Sequence, residues 1–456
     1  MSISRRLTLA ACAAFVVPAA FAAPEEWQVT VDRHATPLVE SGLVPGLVIG
    51  MYKDGETGFY ALGTLTPDGD KAPTADTLYE IGSITKVFTA TLLAEANRRG
   101  EAGFDDPISK FLPEGVEAPT RDGVEVTLKH LATHTSGFPR LPPNIDLSDM
   151  TNPYAAYSED DLWEGIESTT LLTTPGETYA YSNYATGLLG TIVANVSRSS
   201  YERLLEKRIF RPVGMATATV TLDPVEEARL APPHLAGGKP DHNWDFQALA
   251  GAGAIRASAR DMMKFAERVL HPKGEALDEA IESTIKPIAN AGDAPYFYAI
   301  GWHVAGDGST LWHGGQTGGY HAALFVSRPL DAAVVLLTNA ADGTASAVAE
   351  KLVQTLAGVD PEPIVLSSDN VTEEELERLV GVYASPVGIV FHITRQAGIL
   401  MARVEGQGPL RLWPDSPTEF HYREVDARVT FEVEGNGPAK ALTLFQGGRE
   451  FKCERR

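Results

Sequence analysis

The sequence predicts an α/β (α+β) chain. An antiparallel sheet is flanked by helices, a mainly helical lobe is inserted into it, and a small C-terminal β-barrel follows. Three observations carry this expectation. Strand-like segments occur at two distant places, 44–63 and 298–338, with helical and loop-like sequence between them. Near 359–370 the periodicity is lost in "GVDPEPIVLSSD", which reads as a linker. Beyond it, short alternating segments separated by Gly and Asp turns read as a small barrel or sandwich.

The bulk numbers fit such a chain. Its 456 residues exceed one typical domain, and 44% hydrophobic with 21% charged residues describes a folded protein with a large core. The net charge of -22 repels phosphate backbones, so nucleic acid is not an expected partner.

The first 22 residues read as a signal peptide. "MSISRR" is a basic start, an apolar run of small residues follows, and Ala20-Phe21-Ala22 offers a cleavage site. Pro18 argues against a long buried helix there. Leu9-Ala10-Ala11-Cys12 also resembles a lipobox, which would anchor the chain through a lipidated Cys12, and Ser4-Arg5-Arg6 weakly resembles a twin-arginine signal. The expectation is export, to a periplasmic or secreted location. Removal of the leader leaves Cys453 alone, so no intramolecular disulfide can form. No second apolar stretch is long enough to span a membrane.

The elements follow in order. "VPGLVIGMYKDGETGFYALG" reads as a hairpin turning at Lys53-Asp54-Gly55. From Ile84, the residues Val87, Phe88, Leu92 and Leu93 recur at helical spacing, and Gly100 ends that helix. Residues 105–250 form the helical and loop-rich insertion. "AGAGAIRASARDMMKFAERVL" reads as a Gly-rich turn lining the cleft and then a helix. Strands resume over 298–338, a helix is expected at 343–356, and a short helix opens the unit that starts at 371. The expected division is therefore 1–22 leader, 23–358 main domain, 359–370 linker and 371–456 barrel.

Three short constellations carry candidate chemistry. Ser83-Ile84-Thr85-Lys86 opens a helix, and three-residue spacing puts the hydroxyl and the amine on one face. The amine can then take the serine proton, while the helix N-terminus favours developing negative charge. A serine in that place is also an ordinary helix cap. Tyr181-Ser182-Asn183 supplies a phenol able to relay protons and an amide able to orient a partner, or a plain turn. His313-Gly314-Gly315-Gln316 follows the apolar "STLW". Its glycines permit close backbone approach, and the Gln316 N–H with that of Ser83 can form an oxyanion hole. His313 offers proton relay or, when charged, a hold on a carboxylate; a packed turn histidine is the plain alternative. A zinc site is not expected. Of the 11 histidines only His130 and His134 stand four apart, with Leu131 where a zinc protease carries glutamate. A Gly-x-Ser-x-Gly elbow is absent, and Gly251-Ala252-Gly253 starts no dinucleotide fingerprint.

In combination and in this order, Ser-x-x-Lys, Tyr-x-Asn and His-x-Gly resemble the motifs of class C β-lactamases and their penicillin-binding relatives. "YEIGSITKVFTATLLA", "LKHLATHTSGFP", "PGETYAYSNYATGLLG", "IFRPVGM" and "WHGGQTGGY" resemble further stretches of that family, over roughly 28–356. From about 371 the chain resembles the lipocalin-like domain that often follows it. The resemblance implies a β-lactamase/transpeptidase-like fold in which Ser83 forms an acyl-enzyme. Lys86 and Tyr181 would share the proton transfers, Asn183 would orient substrate and Lys86, and His313 would replace the usual lysine. Gly314 and Gly315 would support the site, and the backbone N–H groups of Ser83 and Gln316 would hold the oxyanion. No metal and no cofactor is implied.

The histidine at 313 is mostly neutral near pH 7 where the family's usual lysine is a fixed charge, which lowers the expectation of strong β-lactamase activity. The His-x-Gly form resembles DD-peptidases, D-aminopeptidases and esterases. The leading expectation is a peptidase or amidase acting on D-amino-acid-containing peptides. The alternatives are a carboxylesterase on short-chain esters, a weak class C-type β-lactamase, and a non-catalytic peptidoglycan-fragment binding protein. The partner is a small-molecule or short-peptide substrate, and the sequence leaves open whether the chain forms a homo-oligomer.

Overall fold

The computed structural model describes residues 24–456 except 293, 365, 367–370, 387, 397–398, 406–408, 423–424, 426 and 447–448. The expected leader, with Cys12, and most of the second half of the expected linker lie outside the described residues.

The chain opens with a helix that the sequence reading did not anticipate, α1 (Glu25–Glu40). Trp27, Val31, Ala35 and Leu38 give it one buried stripe. The expected hairpin follows as β1 (Gly46–Lys53) and β2 (Glu56–Gly63). Asp54 and Gly55 both take positive φ, 50° and 90°, which matches the twist of a two-residue hairpin turn.

Three helices matter for the site: α2 (Thr85–Arg98) ahead of the expected insertion, α3 (Asn183–Val196) within it and α4 (Ala259–Leu270) after it. Every residue of α2 from Thr85 to Ala96 is buried, so this helix runs through the middle of the domain. The chain returns to the sheet through β3 (Ala289–Asn290), β4 (Tyr296–Tyr298), β5 (His303–Ala305), β6 (Thr310–Gln316), β7 (His321–Ser327) and β8 (Ala332–Thr338). Helix α5 (Thr344–Leu356) closes the domain. The sheet order is β2-β1-β8-β7-β6-β5-β4-β3, with every described pairing antiparallel. The two distant β regions therefore meet where β1 pairs β8, with Leu47 opposite Thr338.

Strand alternation sorts the core into two layers. On β1 and β8, Val48, Ala333, Val335 and Leu337 join the core shared with α2 and α4. Their neighbours Leu47, Ile49, Val334 and Leu336 join a second core with Trp27 and Val31 of α1 and Val348 and Leu352 of α5. Both faces are covered, which is why these strands read as continuous apolar runs.

Helix α6 (Glu373–Leu379) leads into β9 (Gly381–Ala384), β10 (Val390–Gln396), β11 (Ile399–Val404), β12 (Leu410–Pro414), β13 (Glu419–His421), β14 (Ala427–Glu432), β15 (Ala441–Gln446) and β16 (Arg449–Arg455). These eight strands form a closed barrel in sequence order, β9 pairing β16. The barrel has its own core, which includes the free Cys453. It seats on the main domain through β11 and β12: Trp413 enters the α1/α5 core, and Ile399 and Met401 pack with Leu43 and Ala236. Among the described residues no helix is long and apolar enough to cross a membrane.

Candidate active site

Ser83 sits in a short 3-10 turn, Gly82–Ile84, that runs into α2. The turn is strapped from two sides. Leu78–Glu80 pairs with Arg256–Ser258, and Ile81 N–H donates to the Ile255 carbonyl at 3.0 Å. Within that strap Glu80 is buried against Arg256 at 3.3 Å and accepts the Trp244 N–H; burial pushes its carboxyl up to about 7 against the pull of Arg256.

On the other side lies β6. A Cβ on Gly315 would fall 2.0 Å from the Ile81 carbonyl oxygen and 2.9 Å from the Ser83 nitrogen. A Cβ on Gly82, whose φ is +50°, would fall 2.6 Å from the Gln316 nitrogen. Only glycines let the two backbones approach this closely. The N–H groups of Ser83 and Gln316 are thereby brought onto neighbouring backbone segments. The sequence reading took His313–Gln316 as the stretch after a strand, whereas all four residues are part of β6.

Lys86, 0% exposed, lies one helical turn from Ser83. Its Nζ is 3.0 Å from Ser83 Oγ, 2.8 Å from Asn183 Oδ1 and 2.7 Å from the Ala252 carbonyl oxygen. The last two atoms can only accept, so Lys86 donates to both. Burial, aided by the charge of Arg140, pushes the ammonium pKa well below its ordinary value. With two N–H groups committed to Asn183 and Ala252, the third position on the Lys86 nitrogen faces the Ser83 hydroxyl. Asn183 is presented by the first turn of α3, which the Ser182 hydroxyl caps by accepting the Ala185 N–H. The expected cleft-lining turn at Gly251–Gly253 is a helical turn, Ala250–Gly253, and the carbonyl for Lys86 comes from it.

Tyr181 is packed on several sides. Lys86 Nζ is 4.9 Å and Arg140 Cζ 5.4 Å from its ring centroid, and the His134 ring lies at 4.3 Å. Burial pushes its hydroxyl up to about 12, opposed by a hydrogen bond with Ser83 and by Arg140. The phenol is therefore protonated at neutral pH. His313 is buried with Nδ1 2.6 Å from the Gly314 carbonyl, so that nitrogen carries the proton. Burial, with His303 and Lys86 nearby, holds its pKa well below the ordinary value. That shift disfavours a charged His313 and with it a cationic grip on a carboxylate.

Several neighbours were not singled out from the sequence. His303 stacks on His313 at 4.8 Å, and Tyr179 meets its Nε2 at 3.1 Å. Tyr296 and Trp312 pack on His303, and Tyr298 stacks on Tyr179. His134, set aside as a metal ligand, stacks on Tyr181 and accepts the Ser182 N–H through Nδ1 at 3.2 Å. Arg140 stands exposed directly after "HTSGFP" and accepts the N–H groups of Asn183 and Tyr184 on its carbonyl. Its place beside that motif was the one available signal. No group of three or more His, Cys, Asp or Glu able to hold a metal ion occurs among the described residues.

Comparison with known proteins places this geometry. The beta-lactamase family model matches residues 31–358. The D-alanyl-D-alanine-carboxypeptidase/endopeptidase AmpH of Escherichia coli is 31% identical over 248 residues, 54% of this chain and 63% of that protein's own length. A beta-lactamase structure from Sulfitobacter sp. EE-36 superposes with a TM-score of 0.63 at 26% identity, covering 74% of this chain and 99% of the other. The octameric penicillin-binding protein homologue from Pyrococcus abyssi has a TM-score of 0.66 at 22% identity and covers 94% of this chain and 99% of its own, so the likeness in fold extends into the barrel. With the motif residues close together on a serine-hydrolase fold, the chain belongs to the beta-lactamase family.

Proposed function

We propose that this chain is a serine hydrolase that forms an acyl-enzyme at Ser83 and acts as a peptidase or amidase on peptides containing D-amino acids. The observation that carries the reading is that two proton-bearing groups meet at Ser83 Oγ, the buried Lys86 amine, whose pKa burial lowers, and the Tyr181 phenol, whose pKa burial raises. Lys86 takes the Ser83 proton as Oγ bonds to the substrate carbonyl carbon. The N–H groups of Ser83 and Gln316 receive the oxyanion, each such donor contributing about 3 kcal/mol in the transition state. The phenol of Tyr181 protonates the departing nitrogen and recovers its proton from Lys86. Water then cleaves the acyl group from Ser83 by the reverse transfers. An amide nitrogen leaves only when protonated, and a phenol held in its acid form suits that step.

A carboxylesterase on short-chain esters is the second reading. It is favoured by the lowered pKa of His313 and by the aromatic wall of Tyr179, Tyr296, Tyr298 and Trp312, which offers apolar contact in place of a cation. Weak β-lactamase action and a non-catalytic binding role follow behind. A matched pair of kcat/KM values decides among them: D-alanine p-nitroanilide against a short-chain p-nitrophenyl ester, each with a Ser83→Ala control. Ser83-dependent anilide cleavage supports the peptidase reading. Ester turnover alone favours the esterase over a D-aminopeptidase, and a D-alanyl-D-alanine peptide and a β-lactam then separate the carboxypeptidase and β-lactamase readings from the binding role.

The up-and-down order of the eight closed strands supports reading the barrel as lipocalin-like. We also infer export by the leader at 1–22 and the division into 23–358, 359–370 and 371–456, on composition and on the gap between α5 and α6.

A further inference from the structure

The side chain of Gln316, not only its backbone, is engaged. Its Oε1 lies 3.1 Å from Nδ1 of His321, its cross-strand partner on β7. An amide oxygen only accepts, so His321 Nδ1 carries the proton and Nε2 accepts the Ser346 hydroxyl at 2.7 Å. Ser346 is in the first turn of α5, which also holds Thr344. The other end of the amide, Nε2, donates to the carbonyl of Pro409 at 3.0 Å. Pro409 belongs to the barrel and immediately precedes β12.

Two residues on, the buried Arg411 turns back to the main domain. It donates to the Leu366 carbonyl and reaches Thr344 Oγ1 at 3.5 Å. One short barrel segment, 409–411, therefore holds Gln316 twice. It does so directly through Pro409, and indirectly from Arg411 to the α5 turn that carries Thr344 and Ser346, whose hydroxyl meets His321 on β7. Nothing in the barrel's own closure requires either contact.

We propose that the C-terminal barrel positions the oxyanion hole: segment 409–411 clamps the Gln316 side chain, and through it fixes the backbone N–H of Gln316 against Ser83. Gln316 acts as a donor through its main chain and as a positioning residue through its side chain. The inference rests on the reading of Ser83 and Gln316 given above. Because an oxyanion donor is useful only when held to within a few tenths of an ångström, the clamp acts on the transition state and leaves ground-state binding alone.

The test uses the full-length protein and three variants: Gln316→Leu, Arg411→Met and the pair combined. Gln316→Leu keeps the backbone N–H and removes both side-chain bonds. The readouts are kcat and KM on any substrate that Ser83 turns over, an ester sufficing, and the Ki of an alkyl boronic acid, whose tetrahedral adduct occupies the hole. Thermal melting reports folding separately. The expected result is a kcat lower by about 10-fold or more in Gln316→Leu, KM within about twofold, and a Ki raised in proportion. Arg411→Met moves the same quantities in the same direction, and the double variant is no worse than the more damaged single, since both act through one link. Unchanged kcat and Ki in Gln316→Leu, or effects that multiply in the double variant, overturn the clamp. A wild-type protein that takes up no boronate at Ser83 overturns the parent reading instead, and the clamp with it.

Discussion

Arg140→Gln is the most informative single change at the site, because the charge of Arg140 adds to burial in lowering the pKa of Lys86. Lys86 Nζ and Arg140 Cζ lie 4.9 and 5.4 Å from the Tyr181 ring centroid, so they are at most about 10 Å apart. Two unit charges at that distance repel by about 0.4 kcal/mol at a dielectric near 80 and about 0.8 kcal/mol near 40. Arg140 is exposed, which favours the lower end. Its removal makes the Lys86 ammonium easier to form. The neutral amine is the base, so the acid limb of the kcat/KM profile moves to higher pH, and activity on that limb falls about 2- to 4-fold. The assay is the pH profile of kcat/KM for both proteins at low salt and at about 1 M salt, where the Debye length is near 3 Å. The two limbs should separate at low salt and converge at high salt. An acid limb that stays in place, or moves to lower pH in Arg140→Gln, refutes the assignment of Lys86 as the neutral base.

Three further outcomes follow from the same geometry. Gly315→Ala puts a Cβ on the Ile81 carbonyl and must push β6 away from Ser83; kcat/KM is expected to fall about 100-fold or more, checked beside circular dichroism to confirm the fold. His134→Ala removes the stack on Tyr181 and the acceptor for the Ser182 N–H; a fall of about 10-fold in kcat with a small drop in Tm is expected from steady-state kinetics and melting. His134, His303, His313 and His321 all have pKa values held below the ordinary 6.5 by burial, His303 to about 3 and His321 to about 4. The unfolded chain therefore binds more protons than the folded one below that ordinary value, and stability is present above it and lost as pH falls. Tm should drop between pH 7 and pH 5, and His321→Gln should reduce that slope.

What was legible in the sequence is what repeats locally. The hairpin at 46–63, the helix from Thr85 and the strands from 296 to 338 each show their periodicity within their own residues. Ser83, Lys86, Tyr181, Asn183 and His313 stand out in the sequence because three short motifs occur in one order, and the fold brings them close together. Helix α1 shows a readable stripe at Trp27, Val31, Ala35 and Leu38, but its nearness to the leader and the proline at 37 obscured it. The rest was not legible for a physical reason. The carbonyl of Ala252 reaches Lys86 across 166 residues, and Pro409 reaches Gln316 across 93. A main-chain carbonyl has no letter of its own, and Arg140, His303 and Tyr296 join the site only by tertiary packing.

The pairing of β1 with β8 also has a consequence in time. The Thr338 hydroxyl donates to the Gly46 carbonyl from 292 residues away. During synthesis the hairpin and the nucleophile helix emerge early, while the strand that completes the sheet arrives near the end of the domain. Contacts of that separation fold slowly, because a long loop must be closed before they form. Until β8 arrives, β1 keeps an unpaired apolar edge, the kind that invites association with other chains. For the same interval β7 and β6 lack the strand that joins them to β1, so Ser83 and Lys86 lack the strand that faces them. The Ser83–Lys86 arrangement thus depends on Asn183, Ala252 and β6, which leave the ribosome well after it.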